Sequence, residues 1–127
     1  MDDEYGKLYS ADYHIGQTVK ENPEEYKRRS PVWNTDKLET PLLIHTNTND
    51  EDVNVIEVKA LIDTLNTLNK DFEYEIFQDL PGGHSFDRQD TKLALSIRLK
   101  IYKFLEKYLK PPKAFNSVEE FRKLIYR

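Results

Sequence analysis

"PLLIHTNTNDEDVN", Pro41 to Asn54, passes from a compact apolar run into a stretch dense with amides and carboxylates. Pro41 opens the run. Leu42, Leu43 and Ile44 follow without alternation, which suits a strand covered on both faces, as in a parallel sheet, and so predicts an interior strand ending at His45. The polar stretch that follows has two readings. It is either a solvated turn ahead of a helix or a loop at the mouth of an active site with one carboxylate placed for chemistry.

The flanking sequence supplies the rest of the architecture. From Val55 to Asn69, apolar residues at 58, 61, 62, 65 and 68 have the three-and-four spacing of an amphipathic helix, which Asn69-Lys70-Asp71 ends. "FEYEIFQ" alternates, with Phe72, Tyr74 and Ile76 on one face and Glu73, Glu75 and Phe77 on the other, and predicts a partly covered strand near a sheet edge. "DLPGGHSFDRQ" is a glycine-containing loop. Thr91 to Leu109 then forms a helix with Ala94, Ile97, Ile101, Phe104, Leu105 and Tyr108 along one side, broken by Lys110-Pro111-Pro112.

The two ends are simpler. Residues 1–21 form an irregular segment rich in tyrosine (Tyr5, Tyr9, Tyr13), with at most a helical turn. "ENPEEYKRRSP" sets Asn22 as an N-cap, Pro23 at the first helical position, acids in the first turn, bases in the last and Pro31 as the stop. In residues 113–127, Ser117 and Glu120 have capping-box spacing ahead of a Val118, Phe121, Leu124, Ile125 stripe, which predicts a C-terminal helix.

A strand, helix, strand, helix order implies a parallel pair joined by a crossover helix, because parallel neighbours cannot be joined by a tight turn. Both strands then end on the same edge of the sheet, where sites form in open α/β sheets, about 5 Å apart. Asp50 and His84 leave that edge on adjacent loops. A carboxylate that accepts from one ring nitrogen leaves the other free to take a proton. Spacing does not choose between Asp50 and Asp52: one reaches the histidine while the other caps the following helix. Gly82 and Gly83 allow a tight turn that aims His84 back across the strand ends.

Composition excludes several classes. The 127 residues bound a single domain of 1–127 and hold no cysteine, so disulfides, thiolate nucleophiles and cysteine metal sites are out. His14, His45 and His84 have no metal-ligand spacing, and no metal or cofactor is implied. With 19 basic and 23 acidic residues interleaved, and the basic cluster Lys27-Arg28-Arg29 following Glu24-Glu25, no nucleic-acid surface is expected. No apolar run is long enough to span a membrane and no signal peptide pattern is present, so a soluble protein of the cytoplasm or periplasm is expected.

The stretch from Glu21 to Arg88, within a match that spans roughly Gly16 to Leu109, resembles the C-terminal part of the catalytic domain of prolyl oligopeptidase-family serine peptidases, which include dipeptidyl and acylaminoacyl peptidases. The resemblance rests on N-P-x-x-Y…S-P at Asn22, Pro23, Tyr26, Ser30 and Pro31, on T-P-L-L-I-H at Thr40–His45, on D-x-x-V at Asp50–Val53, and on G-H-x-F at Gly83–Phe86. It implies an α/β-hydrolase fold with an incomplete sheet, a Ser-Asp-His triad in that chain order, Asp50 as the triad acid, His84 as the general base, and a peptide substrate for the full-length protein. Asp52 is then left to cap the helix. The sequence departs from the family at Thr46, where a glycine commonly stands, at Asn54, where proline is frequent, and in a loop before Asp50 that is one residue longer, which brings Asn49 and Asp52 into register as rivals.

The nucleophile is the larger departure. No G-x-S-x-G turn occurs, and Ser10, Ser30, Ser85, Ser96 and Ser117 all lack that setting. The expected activity is thus that of a C-terminal fragment supplying acid and base to a serine peptidase, inactive by itself. The alternatives are a carboxylesterase of the same fold and a non-catalytic interaction module. An interior strand with an unpaired edge is a template for another chain, so a homo-oligomer through that edge or the final helix is expected. Light scattering across micromolar concentrations should then give a mass above 15.1 kDa; a strictly monomeric mass would sink this expectation.

Overall fold

The computed structural model describes residues 15–111 and 114–125. Tyr5, Tyr9, Tyr13, His14, Ser10 and Pro112 lie outside the described residues, as does the helical turn expected near the N-terminus. In chain order the elements are α1 (Pro23–Arg29), a 3-10 segment (Pro31–Lys37), β1 (Leu42–Asn47), α2 (Val55–Thr67), β2 (Phe72–Phe77), a second 3-10 segment (Gly83–Arg88), α3 (Lys92–Leu109) and α4 (Val118–Ile125). The result is a mixed α/β arrangement with a two-stranded parallel sheet, a partial α/β fold. The chain divides into two compact units, one running to Thr40 and including Ala60–Lys70, the other formed by Pro41–Lys59 and the chain from Asp71 onward.

In the first unit α1 forms as its sequence directs. Asn22 Oδ1 accepts the Glu25 N–H at 3.3 Å and Pro23 opens the helix, where a missing N–H costs nothing. The basic cluster is largely spent within the same turn. Arg28 binds Glu25 through two nitrogens at 2.7 and 2.6 Å, Arg29 adds a third contact at 2.7 Å, and Lys27 pairs with Glu24 at 3.1 Å. The two guanidinium groups hold the Glu25 carboxyl down to about 2. Asn34 Nδ2 donates to the carbonyls of Lys27, Arg28 and Ser30, which closes the open end of α1. Ile62 and Leu65 on α2 are buried, and the helix stops where Asn69 turns left-handed (φ 50°) and the Lys70 N–H reaches back to the Leu65 carbonyl.

In the second unit β1 and β2 pair in parallel from Leu42 opposite Phe72 to Asn47 opposite Phe77. β1 runs two residues past the expected end at His45, and those two residues, Thr46 and Asn47, are its most buried. The expectation of an interior strand covered on both faces does not hold in this chain. Leu42 to His45 are only half-buried, because a sheet of two strands gives β1 one neighbour. Beside them Pro41, Leu42, Leu43, His45, Ile101, Phe104 and Leu105 line an open apolar hollow of about 340 Å³.

The Glu73, Glu75 and Phe77 face of β2 is the one that meets α3. Lys100 binds Glu75 at 2.6 Å and Lys107 binds Glu73 at 2.5 Å. Tyr74 on the opposite face is exposed. Thr91 caps α3 by accepting the Ala94 N–H at 3.1 Å, and Ala94, Leu95, Ile97 and Phe104 turn one face of the helix inward. Leu105 and Tyr108, expected on that face, remain substantially exposed. At α4 Ser117 Oγ accepts the Glu120 N–H, while the Glu120 carboxylate takes the N–H of Asn116 rather than that of the cap residue. Phe121 meets Tyr102 and Phe115 in an aromatic cluster.

Phe86 joins the second 3-10 segment to this core: its ring is buried and lies 5.2 Å from that of Phe77. Phe86→Ala should destabilise the chain by about 3–5 kcal/mol in a urea melt, the range for truncating a buried aromatic ring. A loss below about 1 kcal/mol would mean that the loop carrying His84 is not anchored through this ring.

Candidate functional site

β1 and β2 end on the same edge, and the loops that leave them carry Asp50 and His84. Past Asn47 the chain turns sharply, with the Asp50 N–H donating to the Asn47 carbonyl at 3.1 Å. Asp50 then organises its own loop. Its Oδ1 accepts the N–H groups of Asp52 and Val53, both at 2.9 Å, the bonding of an Asx turn. Its Oδ2 lies 2.8 Å from His84 Nδ1. The Asp50 side chain is 6% exposed and that of His84 is 48% exposed, so a shielded acid holds an imidazole that faces solvent.

Asp52 does not cap the following helix, contrary to the reading of the sequence. Asn54 does so, its Oδ1 accepting the Ile56 N–H at 2.9 Å and its carbonyl the Glu57 N–H at 2.9 Å. The reason lies in position. Asn54 immediately precedes the first helical residue and its side chain reaches the second, whereas Asp52 stands two residues further back.

His84 is aimed by what surrounds it. Gly82 has φ +101°, a conformation closed to residues with a side chain, and a Cβ there would come within 2.5 Å of Gln89 Nε2. The Ser85 N–H closes the turn on the Gly82 carbonyl at 2.8 Å, and Arg98 Nη1 of α3 holds the Asp87 carbonyl at 2.8 Å. With Phe86 buried two residues on, the imidazole is fixed from both sides.

The electrostatics follow from these contacts. Burial works to raise the Asp50 carboxyl, but the Val53 N–H, the His84 ring and the Asp52 N–H together outweigh it and keep the group below its ordinary value. An ionised Asp50 only accepts, so His84 Nδ1 donates and the neutral ring carries its lone pair on Nε2. No described residue hydrogen-bonds Nε2. The hydrogen bond to Asp50 and its charge raise the His84 ring above its ordinary 6.5.

Other groups were less legible. Asn47 falls in the stretch the sequence assigns to the polar loop from Thr46 to Asn54, yet its side chain is wholly buried and binds the loop before His84. Asn49 and Thr48 also reach that loop, donating to the Leu80 carbonyl and to Asp79. His45 lies elsewhere, its ring 5.4 Å from that of Phe77, its basicity lowered chiefly by burial. Asp50, Asp52 and His84 each offer one ligand atom within 4.8 Å of the others, a grouping able to approach a cation, although both Asp50 oxygens are already engaged.

A family model described as the prolyl oligopeptidase family matches residues 1–112. No curated protein and no solved structure matches the chain.

Asp50→Asn should bring the His84 pKa down toward 6.5, read from the ring-proton shifts in an NMR titration. The pair's stabilising effect has a window. A raised His84 contributes fully below 6.5 and loses its contribution as pH climbs through its folded value, while a lowered Asp50 loses its own as pH falls through the folded carboxyl value. The stability gap between wild type and Asp50→Asn should therefore be larger at pH 5.5 than at pH 9. A gap that widens toward pH 9 would contradict the coupling.

Proposed function

The chain belongs to the prolyl oligopeptidase family, and on that premise we propose that Asp50 and His84 are the orienting acid and the general base of a Ser-Asp-His triad in a serine peptidase. The family makes it a peptidase-family hydrolase. The observation that carries the finer reading is the 2.8 Å contact from Asp50 Oδ2 to His84 Nδ1, with Nε2 left open at the end of a parallel strand pair.

The chemistry follows from that geometry. A serine hydroxyl set against Nε2 gives its proton to His84 as its oxygen attacks the carbonyl carbon of a peptide bond. Asp50 keeps the Nδ1–H tautomer and stabilises the imidazolium that forms. The imidazolium then protonates the leaving amine, and the acyl-enzyme is hydrolysed by a water whose proton passes to the same nitrogen. Because G-x-S-x-G is absent from these 127 residues, the hydroxyl is supplied from outside them, and the chain by itself turns nothing over. On this reading the chain forms one part of the catalytic domain.

Asp52 lies beside the pair and donates its N–H to Asp50, but its charge acts on His84 less than that of Asp50 does. In a polypeptide that joins this chain to a serine-bearing G-x-S-x-G segment, Asp50→Ala and His84→Ala should each lower kcat for peptide hydrolysis by about 10³-fold or more, and Asp52→Ala by only a few-fold. The acidic limb of the wild-type pH–rate profile should lie above 6.5, since the base must be neutral. Equal losses at Asp50 and Asp52 would overturn the assignment, and turnover of esters without peptides would favour a carboxylesterase.

A further inference from the structure

We propose that Asn47 is the positioning residue that holds His84 against Asp50; its importance for turnover rests on the reading of that pair as base and acid. Asn47 ends β1 opposite Phe77, and its side chain is fully buried. Both ends of its amide are used on the loop that follows β2. Oδ1 accepts the Leu80 N–H at 3.0 Å, and Nδ2 donates to the Leu80 carbonyl at 2.9 Å and to the Gly83 carbonyl at 3.2 Å. Leu80 is thus bound on both of its backbone groups, as it would be by a neighbouring strand, beyond the point where β2 has ended.

The same residue also holds the other half of the pair. Its backbone carbonyl accepts the Asp50 N–H at 3.1 Å. One asparagine therefore touches the acid's loop through its main chain and the base's loop through its side chain. Gly83, the residue it grips, is bonded directly to His84. The spacing between carboxylate and imidazole is set through Asn47, and the neighbouring contacts of Asn49 with Leu80 and of Thr48 with Asp79 support the same loop from positions closer to solvent.

The amide cannot be replaced by an isostere of the opposite polarity. In Asn47→Asp the two carbonyls would face a carboxylate with no proton to give, in a buried place where an unmet polar group is costly. The loop would release the Gly83 carbonyl and His84 would move off Asp50. A residue that merely stabilises the fold would lower the melting temperature and leave the pair untouched.

The experiment is an NMR titration of the 127-residue chain, comparing wild type, Asn47→Asp and, as a control for lost stability alone, Ile97→Val in the buried face of α3. In folded Asn47→Asp, the His84 pKa should fall toward 6.5, and the downfield Nδ1 proton should be lost to exchange. Ile97→Val should change neither. A folded Asn47→Asp with both signals unchanged would overturn the proposal. If that variant fails to fold, the wild type decides: the Leu80 amide and the Asn47 side-chain protons must exchange slowly, and rapid exchange of both refutes the clamp. The two readings fail separately. Loss of the His84 signals in Asn47→Asp, with peptide hydrolysis intact in His84→Ala of the serine-bearing protein, would leave the clamp standing and remove the catalytic role.

Discussion

Two parallel strands end side by side only if the chain between them travels back the full length of the sheet. A tight turn cannot do it, so α2 occupies the interval and the two following loops emerge together. Everything assigned to the site depends on that constraint. Asp50 and His84 are far apart along the chain and meet at 2.8 Å because one lies on the loop that leaves β1 and the other on the loop that leaves β2 at the same sheet edge. An antiparallel hairpin of the same two strands would have put their loops at opposite ends.

The strand ends bring the loops near one another, and buried polar groups then fix them. Asp50 uses one oxygen for its own turn and the other for the imidazole, which couples the shape of the acid loop to the orientation of the base. Asn47 adds the cross-link between loops, and Phe86 with Gly82 determines where the imidazole can sit. Low exposure of the acid strengthens these contacts, whereas exposure of the His84 ring keeps its outer nitrogen reachable. The same division, a shielded carboxylate and an exposed imidazole, is what the proposed proton relay to an incoming hydroxyl would require.

Much of the fold was readable because its determinants are local. Asn22 with Pro23 starts α1, the three-and-four spacing marks α2 and α3, and Asn69 ends α2 by adopting a left-handed conformation. The misreadings share a different cause. Asp52 was given a cap that Asn54 provides, because several acceptors in one polar stretch compete and the winner depends on backbone geometry. β1 was ended too early because Thr46 and Asn47 are polar, yet their burial comes from groups far along the chain.

The sequence by itself determined the helices, the two strands, their parallel pairing and the two loops in which an acid and a histidine stand, since periodicity, caps and breakers act over a few residues. Only the tertiary structure decided which acid meets His84, that Asn47 binds both loops, and that Asn54 starts α2. The first two choices depend on hydrogen bonds between residues about thirty positions apart, and the third on which of several neighbouring acceptors the backbone turns toward the helix start, which no local pattern records.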